Sequence, residues 1–233
     1  IVDACQAQDV PGGMALPEDG PSQWEVNLRH VADARLACDH AIRLKRIVKG
    51  VALAQGFEAT FMAKPYREMA GSGAHIHVSL LDRDGRNVFE SEQPTASEAL
   101  GQCAAGLLAT MADAMALFGP NANSYRRLRP ESYVPMHPTW GYNNRGVAVR
   151  VPVSGAADRR LEHRVAGADV NPYLLASAVL GGMLHGLERR LAPPPPLLGN
   201  AYHQPIDAEP LPNDWREAIL RFEKSAEMRE LFG

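Results

Sequence analysis

Cysteine is nearly absent. The chain has three, Cys5, Cys38 and Cys103, in 233 residues, an odd count with no C-x-x-C spacing. That argues against a disulfide framework and for a reducing, cytoplasmic compartment. No apolar run approaches the roughly 20 residues of a membrane span. The opening IVDACQAQ has no signal-peptide pattern, so no membrane partner is expected. Net charge is low, −3, which argues against a general nucleic-acid binder. Lysine is sparse, 4 residues against 20 arginines. Arginine is preferred where planar carboxylates or phosphates are gripped in fixed geometry. The phosphate loop G-x-x-x-x-G-K-[ST] is missing, as is a dinucleotide fingerprint leading into a helix. No Ser/His/Asp or Cys/His nucleophile set stands out. The start, without Met or cap, reads as the tail of a helix begun upstream, so a partial chain is expected.

What is present describes a folded chain, 45% hydrophobic and 22% charged. Its length allows one large domain or two small ones. Strands are expected near 13–17, 23–29, 58–63, 74–82, 146–151 and 160–165. Helices are expected over 33–56, 95–118 and 171–191, with a short terminal one from about 213. Asp33 is the expected N-cap and Gly56 the stop of the first; Gly119-Pro120 ends the second; Asn171-Pro172 opens the third. Residues 120–145 read as loop, and Pro193 to Pro196 as a semi-rigid connector. Without regular β-α-β alternation the fold class is α+β, with an antiparallel sheet flanked by helices.

Four strands carry polar stripes. Side chains at i and i+2 share a face. Gln23, Glu25 and Asn27 oppose Trp24, Val26 and Leu28. His75, His77 and Ser79 oppose Ile76, Val78 and Leu80. Arg150 opposes Val149 and Val151. Arg160, Glu162 and Arg164 oppose Leu161, His163 and Val165. A one-sided wet sheet explains any single stripe. These stripes hold His, Glu and Arg with no Lys, so a shared site is expected. Glu18, Glu25, His75 and Glu162 are suited to hard or borderline ions such as Mg²⁺ or Mn²⁺. Residues 120–165 hold eight arginines, no lysine and three acids, Glu131, Asp158 and Glu162. Interleaved Tyr125, Tyr133, Trp140 and Tyr142 leave an RNA patch open. Carboxylates beside arginines fit nucleotide phosphates better, because phosphoryl transfer needs metal ions and fixed cations. Gly71-Ser72-Gly73 permits close backbone approach to a ligand.

Six segments, PEDGPSQWEVN (17–27), FMAKP (61–65), GSGAHIHVSL (71–80), NSYRRL (123–128), NNRGVAVRVP (143–152) and RLEHRVAGADVNPYL (160–174), resemble the catalytic domain of the glutamine synthetase family, in family order. The likeness is greatest to γ-glutamylpolyamine synthetases. The resemblance implies one glutamine synthetase-type catalytic domain over 1–233, partial, with a curved antiparallel sheet. It implies Glu18 and Glu25 as ligands of one metal ion, and His75 and Glu162 of the other. It implies His77, Arg145, Arg150 and Arg160 around the ATP phosphates and γ-glutamyl phosphate, and Ser79 at the nucleotide. Gly71, Arg127 and Arg164 would grip glutamate. Tyr133 stands where ammonia-using members carry a Glu, so an organic amine such as a polyamine is the expected acceptor. Glu131 is two residues out of register with that place. ATP, glutamate and an amine would then be the partners, in nitrogen metabolism, within a double-ring homo-oligomer.

Three departures qualify the likeness. The family's N-terminal β-grasp domain and its strand with an E-x-E metal pattern do not precede Ile1, and Asp19 and Ser22 depart from the usual first motif. This chain alone is therefore expected to be inactive. A guanidino kinase shares the catalytic fold but lacks the NSYRR and R-x-E-x-R motifs. A degenerate, non-catalytic nucleotide binder is the other rival.

Overall fold

The computed structural model describes residues 1–92, 97–130 and 132–233. Expectations touching 93–96, among them the start of a helix at 95, and Glu131 fall outside the described residues.

A short helix α1 (Val2–Gln6) leads into a two-stranded antiparallel ribbon, β1 (Gly12–Pro17) and β2 (Trp24–Leu28). Helix α2 (Ala34–Ala54) starts where expected: Asp33 accepts from the amides of Arg35 and Leu36, satisfying two of the donors a helix start leaves open. It stops at Gly56, whose φ of 78° suits glycine. Val26 and Leu28 pack with Cys5, Val10, Leu44 and Ile47 into a small cluster under the ribbon. Trp24, expected on the same core face, is instead 61% exposed; the cluster ends before it reaches that end of the ribbon.

The second sheet has the order β3-β6-β5-β4 and carries the larger core. It comprises β3 (Ile76–Val78), β4 (Trp140–Tyr142), β5 (Val149–Val151) and β6 (Leu161–His163). The expected all-antiparallel sheet needs correction, since β4 runs parallel to β5. β4 lies within a stretch read as loop, and so does the one-turn helix α5 (Ala122–Tyr125). The proline run explains β4. Leu197 donates its amide to Trp140 O at 2.8 Å, and Trp140 Nε1 donates to Pro194 O at 2.7 Å. The connector thus covers what would be an open strand edge. The strand expected over 58–63 does not form. That segment bonds to loops instead, with Ala63 O accepting from Ser72 N.

The long helix expected to reach 118 divides into α3 (Glu98–Met111) and α4 (Met115–Phe118). α3 packs closely on α6 (Pro172–Glu188), which begins at the Asn171 cap. Glycines permit that approach: a Cβ at Gly106 would lie 2.1 Å from Gly182 O. The chain closes with α7 (Trp215–Lys224), capped by Asp214, and α8 (Ala226–Phe232), capped by Ser225.

Candidate active site

Site residues gather in three places. The first is the sheet. His77 of β3 pairs with Glu162 of β6, and Glu162 pairs with Arg150 of β5. Paired residues of an antiparallel ladder share a face, so the three form one row across three strands. Glu162 is its hub, 2% exposed. Oε2 accepts from Arg150 Nη1 at 2.8 Å. Oε1 accepts from Arg164 Nη1 and lies 3.4 Å from His75 Nδ1 and 3.9 Å from His77 Nε2. Arg160 Nε donates to His77 Nδ1 at 3.1 Å, and Arg150 Nη2 to Asn143 Oδ1 at 2.9 Å. The polar stripes of β3, β5 and β6 thus meet at Glu162.

Charge follows from this packing. Burial alone would raise the Glu162 carboxyl, but the Arg164 charge and the Arg150 hydrogen bond outweigh it and hold it below the usual carboxylate range. His75 is pushed down to about 3, by burial first and then by Arg164. His77 is lowered by burial and by Arg160 and Arg150, against Glu162. Both imidazoles are neutral near pH 7. On the opposite face His163 is 1% exposed with its ring 4.4 Å from that of Phe118. Burial lowers it to about 3, and neither ring nitrogen finds a partner among the described residues.

The second place is the glycine loop. A Cβ on Gly71 would sit 2.3 Å from Arg127 Cγ and 2.8 Å from Ala63 O. The Arg127 stem therefore lies directly on the loop backbone. Arg127 is 4% exposed, donates from Nη1 to Val165 O at 3.0 Å, and is lowered to about 10, chiefly by burial. Two contacts frame it that sequence reasoning missed. Asp169 Oδ2 accepts from Ser124 Oγ at 2.7 Å and Asn121 Nδ2 at 3.0 Å, holding α5. The Asn123 amide bonds reciprocally to the Lys64 N and O, each at 2.9 Å. Neither residue type nor spacing signals these pairings. Gln23 Nε2 reaches Gly71 O at 3.0 Å and Ser72 Oγ at 3.2 Å. Gln23 shares the ribbon face with Glu25 and with Glu18, whose amide bonds to Gln23 O. That link orients the Glu18–Glu25 face toward the glycine loop. Glu18 is exposed, and Glu25 Oε1 accepts from Asn27 Nδ2 at 3.0 Å. Ser79 is exposed, just past β3.

The third place is a cavity of about 360 Å³ that joins Tyr133 and Arg145 to the 200–203 turn, chiefly Ala201, Tyr202 and His203. Tyr133 is 69% exposed, at φ 55°. Asn143 connects this wall to the hub through Arg150. The 200–203 contribution was not legible in sequence, lying nearly 70 residues from Tyr133.

The donor chemistry fits a divalent ion in part. A carboxylate and a neutral imidazole 3.4 Å apart can share one edge of a coordination shell. Among the described residues no group of three His, Cys, Asp or Glu forms a metal site. His75 and Glu162 therefore stand as a pair, whereas Glu18 and Glu25 share only a face of the ribbon.

The family described as glutamine synthetase, catalytic domain, matches residues 1–233. Gamma-glutamylputrescine synthetase PuuA of Escherichia coli (strain K12) is 42% identical over 233 residues, 100% of this chain and 49% of that protein. Glutamate–isopropylamine ligase of Pseudomonas sp is 41% identical over 218 residues, 92% and 47% of the two chains. Among solved structures, a GmaS/ADP complex superposes with a TM-score of 0.90 at 30% identity, covering 100% of this chain and 56% of that one. The chain spans about half the length of the curated relatives it matches. The family match over residues 1–233 shows that this chain belongs to the glutamine synthetase catalytic-domain family.

Proposed function

We propose that the chain contributes to an ATP-dependent ligase that joins the γ-carboxylate of glutamate to an organic amine. The observation that carries this reading is the Glu162 hub, a carboxylate held ionised by two arginines beside two neutral imidazoles. Such a hub suits phosphoryl chemistry, in which positioning and charge stabilisation supply most of the catalysis.

The reaction has two steps. A γ-carboxylate oxygen attacks the γ-phosphorus of ATP and ADP leaves, giving γ-glutamyl phosphate. The free amine then attacks the γ-carbonyl carbon, inorganic phosphate leaves, and the nitrogen loses a proton. Arg127 and Arg164, with the Gly71 backbone, hold glutamate. Arg145, Arg150 and Arg160, with His77, face the phosphates, and Ser79 the nucleotide. Glu18 with Glu25, and His75 with Glu162, would hold Mg²⁺ or Mn²⁺. When bound, these ions polarise phosphoryl oxygens and neutralise their charge. Two donors per ion fall well short of the roughly six such ions take. The rest must come from substrate, water or groups beyond these residues. A double-ring oligomer with sites between subunits would supply such groups.

Tyr133 supports the organic acceptor. Its ring offers an apolar edge at the cavity where a carboxylate would favour a small cation. Three free, buried cysteines support a site in the reducing cytoplasm. The test is phosphate release by the longest natural polypeptide containing this chain, with ATP and glutamate, comparing ammonia with a panel of amines. At least tenfold higher kcat/KM for some amine is expected. Ammonia as the best acceptor would refute the Tyr133 reading, and no release with any acceptor would refute the ligase.

A further inference from the structure

Arg127 sits on a one-turn helix, and a helix that short needs something to hold it. Resting on the ligase reading above, we propose that Asp169 is a positioning residue for glutamate: its carboxylate anchors the turn that carries Arg127 and sets a negative charge beside the guanidinium, so that the arginine meets the substrate in one fixed pose.

The two carboxylate oxygens have different tasks. Oδ2 accepts from Ser124 Oγ at 2.7 Å and from Asn121 Nδ2 at 3.0 Å. Both donors belong to α5 or to its cap. Asn121 Oδ1 in turn accepts from Asn123 N at 2.9 Å, which caps the helix. One helical turn fixes more backbone freedom than its hydrogen bonds return, so α5 depends on such outside contacts. Ser124 passes the anchor on, because its carbonyl accepts from Arg127 N at 3.2 Å. The segment leading to Asp169 is itself tied to the glycine loop: Ala168 N donates to Ser72 O, and Ala74 N to Ala166 O, each at 2.9 Å.

Oδ1 is buried and finds no hydrogen-bond partner among the described residues. A Cβ on Gly167 would lie 2.5 Å from Asp169 Oδ1 and 3.6 Å from Arg127 Nη1, so the acid and the guanidinium border the same bare glycine. A Cβ on Gly73 would lie 3.3 Å from Arg127 Nη2. Gly73 and Gly167 pair as an antiparallel bridge, so the arginine fork lies along that bridge with the acid at its Gly167 end. Arg127 is 4% exposed, and its Nη1 bond is to a neutral carbonyl. A buried cation without a counter-charge is costly. Burial weakens the protonated guanidinium, Asp169 opposes that, and Arg164 adds to it. The other cation near this carboxylate, Lys45 of α2, has its Nζ committed to Val170 O at 3.0 Å.

The test is steady-state kinetics of the longest natural polypeptide containing this chain, with Mg²⁺ or Mn²⁺ and the best acceptor of the amine panel, varying glutamate and ATP in turn. Asp169→Asn keeps the side-chain shape and removes the charge. It should raise the glutamate KM about tenfold while the ATP KM and kcat stay within about twofold, a size typical of groups in one network. A role in stability alone would shrink the folded fraction, lowering kcat and leaving both KM values in place. In an Arg127→Lys background the same substitution should add less than about threefold, because its effect passes through Arg127. An unchanged glutamate KM, a loss confined to kcat, or equal factors in the two backgrounds overturns the inference and leaves the ligase reading standing. If Asp169→Asn does not fold, Ser124→Ala, which removes one donor to Oδ2, is judged by the same criteria. No phosphate release by the unsubstituted enzyme with any acceptor overturns the ligase reading, and the inference with it.

Discussion

Alanine at Gly50 and alanine at Gly106 are the same chemical change in two helix interiors, and they should act in opposite directions. Gly50 lies in α2, with nothing within 4 Å of where its Cβ would be. Only helix propensity changes there, a gain of about 1 kcal/mol. Gly106 lies in α3 against α6. Its Cβ would sit 2.1 Å from Gly182 O, 2.5 Å from Gly186 N and 2.6 Å from Gly186 Cα. These are backbone atoms of a helix, so no rotamer change relieves them. Ordinary contact begins near 3.4 Å, and the helices must part by more than about 1 Å. Overpacking of a core costs about 1–3 kcal/mol, occasionally more. Backbone against backbone belongs at the upper end, and the propensity gain offsets about 1 kcal/mol of it. A net loss of about 2 kcal/mol follows. For a domain of this size each kcal/mol moves Tm by about 2–4 °C. Calorimetry of the chain should find Gly50→Ala melting about 2–4 °C higher and Gly106→Ala about 4–8 °C lower. A Gly106→Ala protein melting at or above the unsubstituted chain would refute the α3–α6 contact. The matter reaches the site because α3 also touches β5, which presents Arg150.

Glu162→Gln leaves Arg150 and Arg164 beside a neutral group, and losing one partner of a buried ion pair costs about 3–5 kcal/mol; urea midpoints equal to those of the unsubstituted chain would contradict the hub. Acid should destabilise the fold. His75 and His163 are held at about 3 against 6.5. Between those values the unfolded chain binds protons that the folded chain does not, so stability falls as pH drops below about 6.5. Glu162, lowered in the fold, contributes stability above the unfolded carboxylate value and loses it as pH falls through its own. A urea midpoint at pH 5 no lower than at pH 7.5 would count against the two histidine assignments. In the proposed ligase, Arg127→Lys and Arg164→Lys should raise the glutamate KM about ten- to hundredfold, the worth of charge-assisted hydrogen bonds. The ATP KM should move less, and a change in the ATP KM alone would be the contrary result. This chain by itself should release no phosphate from ATP and glutamate; robust release would contradict the count of two donors per metal ion.

The sequence by itself determined the features whose causes are local. Asp33 and Asn171 cap α2 and α6 because a short acceptor side chain reaches amides two and three residues on. The alternation in β6 put Arg160, Glu162 and Arg164 on one face and Leu161, His163 and Val165 on the other, since a strand's period is two whatever surrounds it. Tertiary structure decided which strands adjoin. Pairing β3, β6 and β5 made Glu162 the partner of His77 and Arg150 and turned a stripe read as polar into a buried hub. It also added β4, in parallel, because a proline segment more than 50 residues away covers its edge. The strand expected at 58–63 does not form, and its Ala63 carbonyl meets the glycine loop instead of a strand. The cavity beside Tyr133 is likewise non-local: Tyr133 and Arg145 meet Tyr202 only through folding. Capping and alternation are written within a few residues, whereas partners, burial and pKa depend on contacts that no short window of sequence contains.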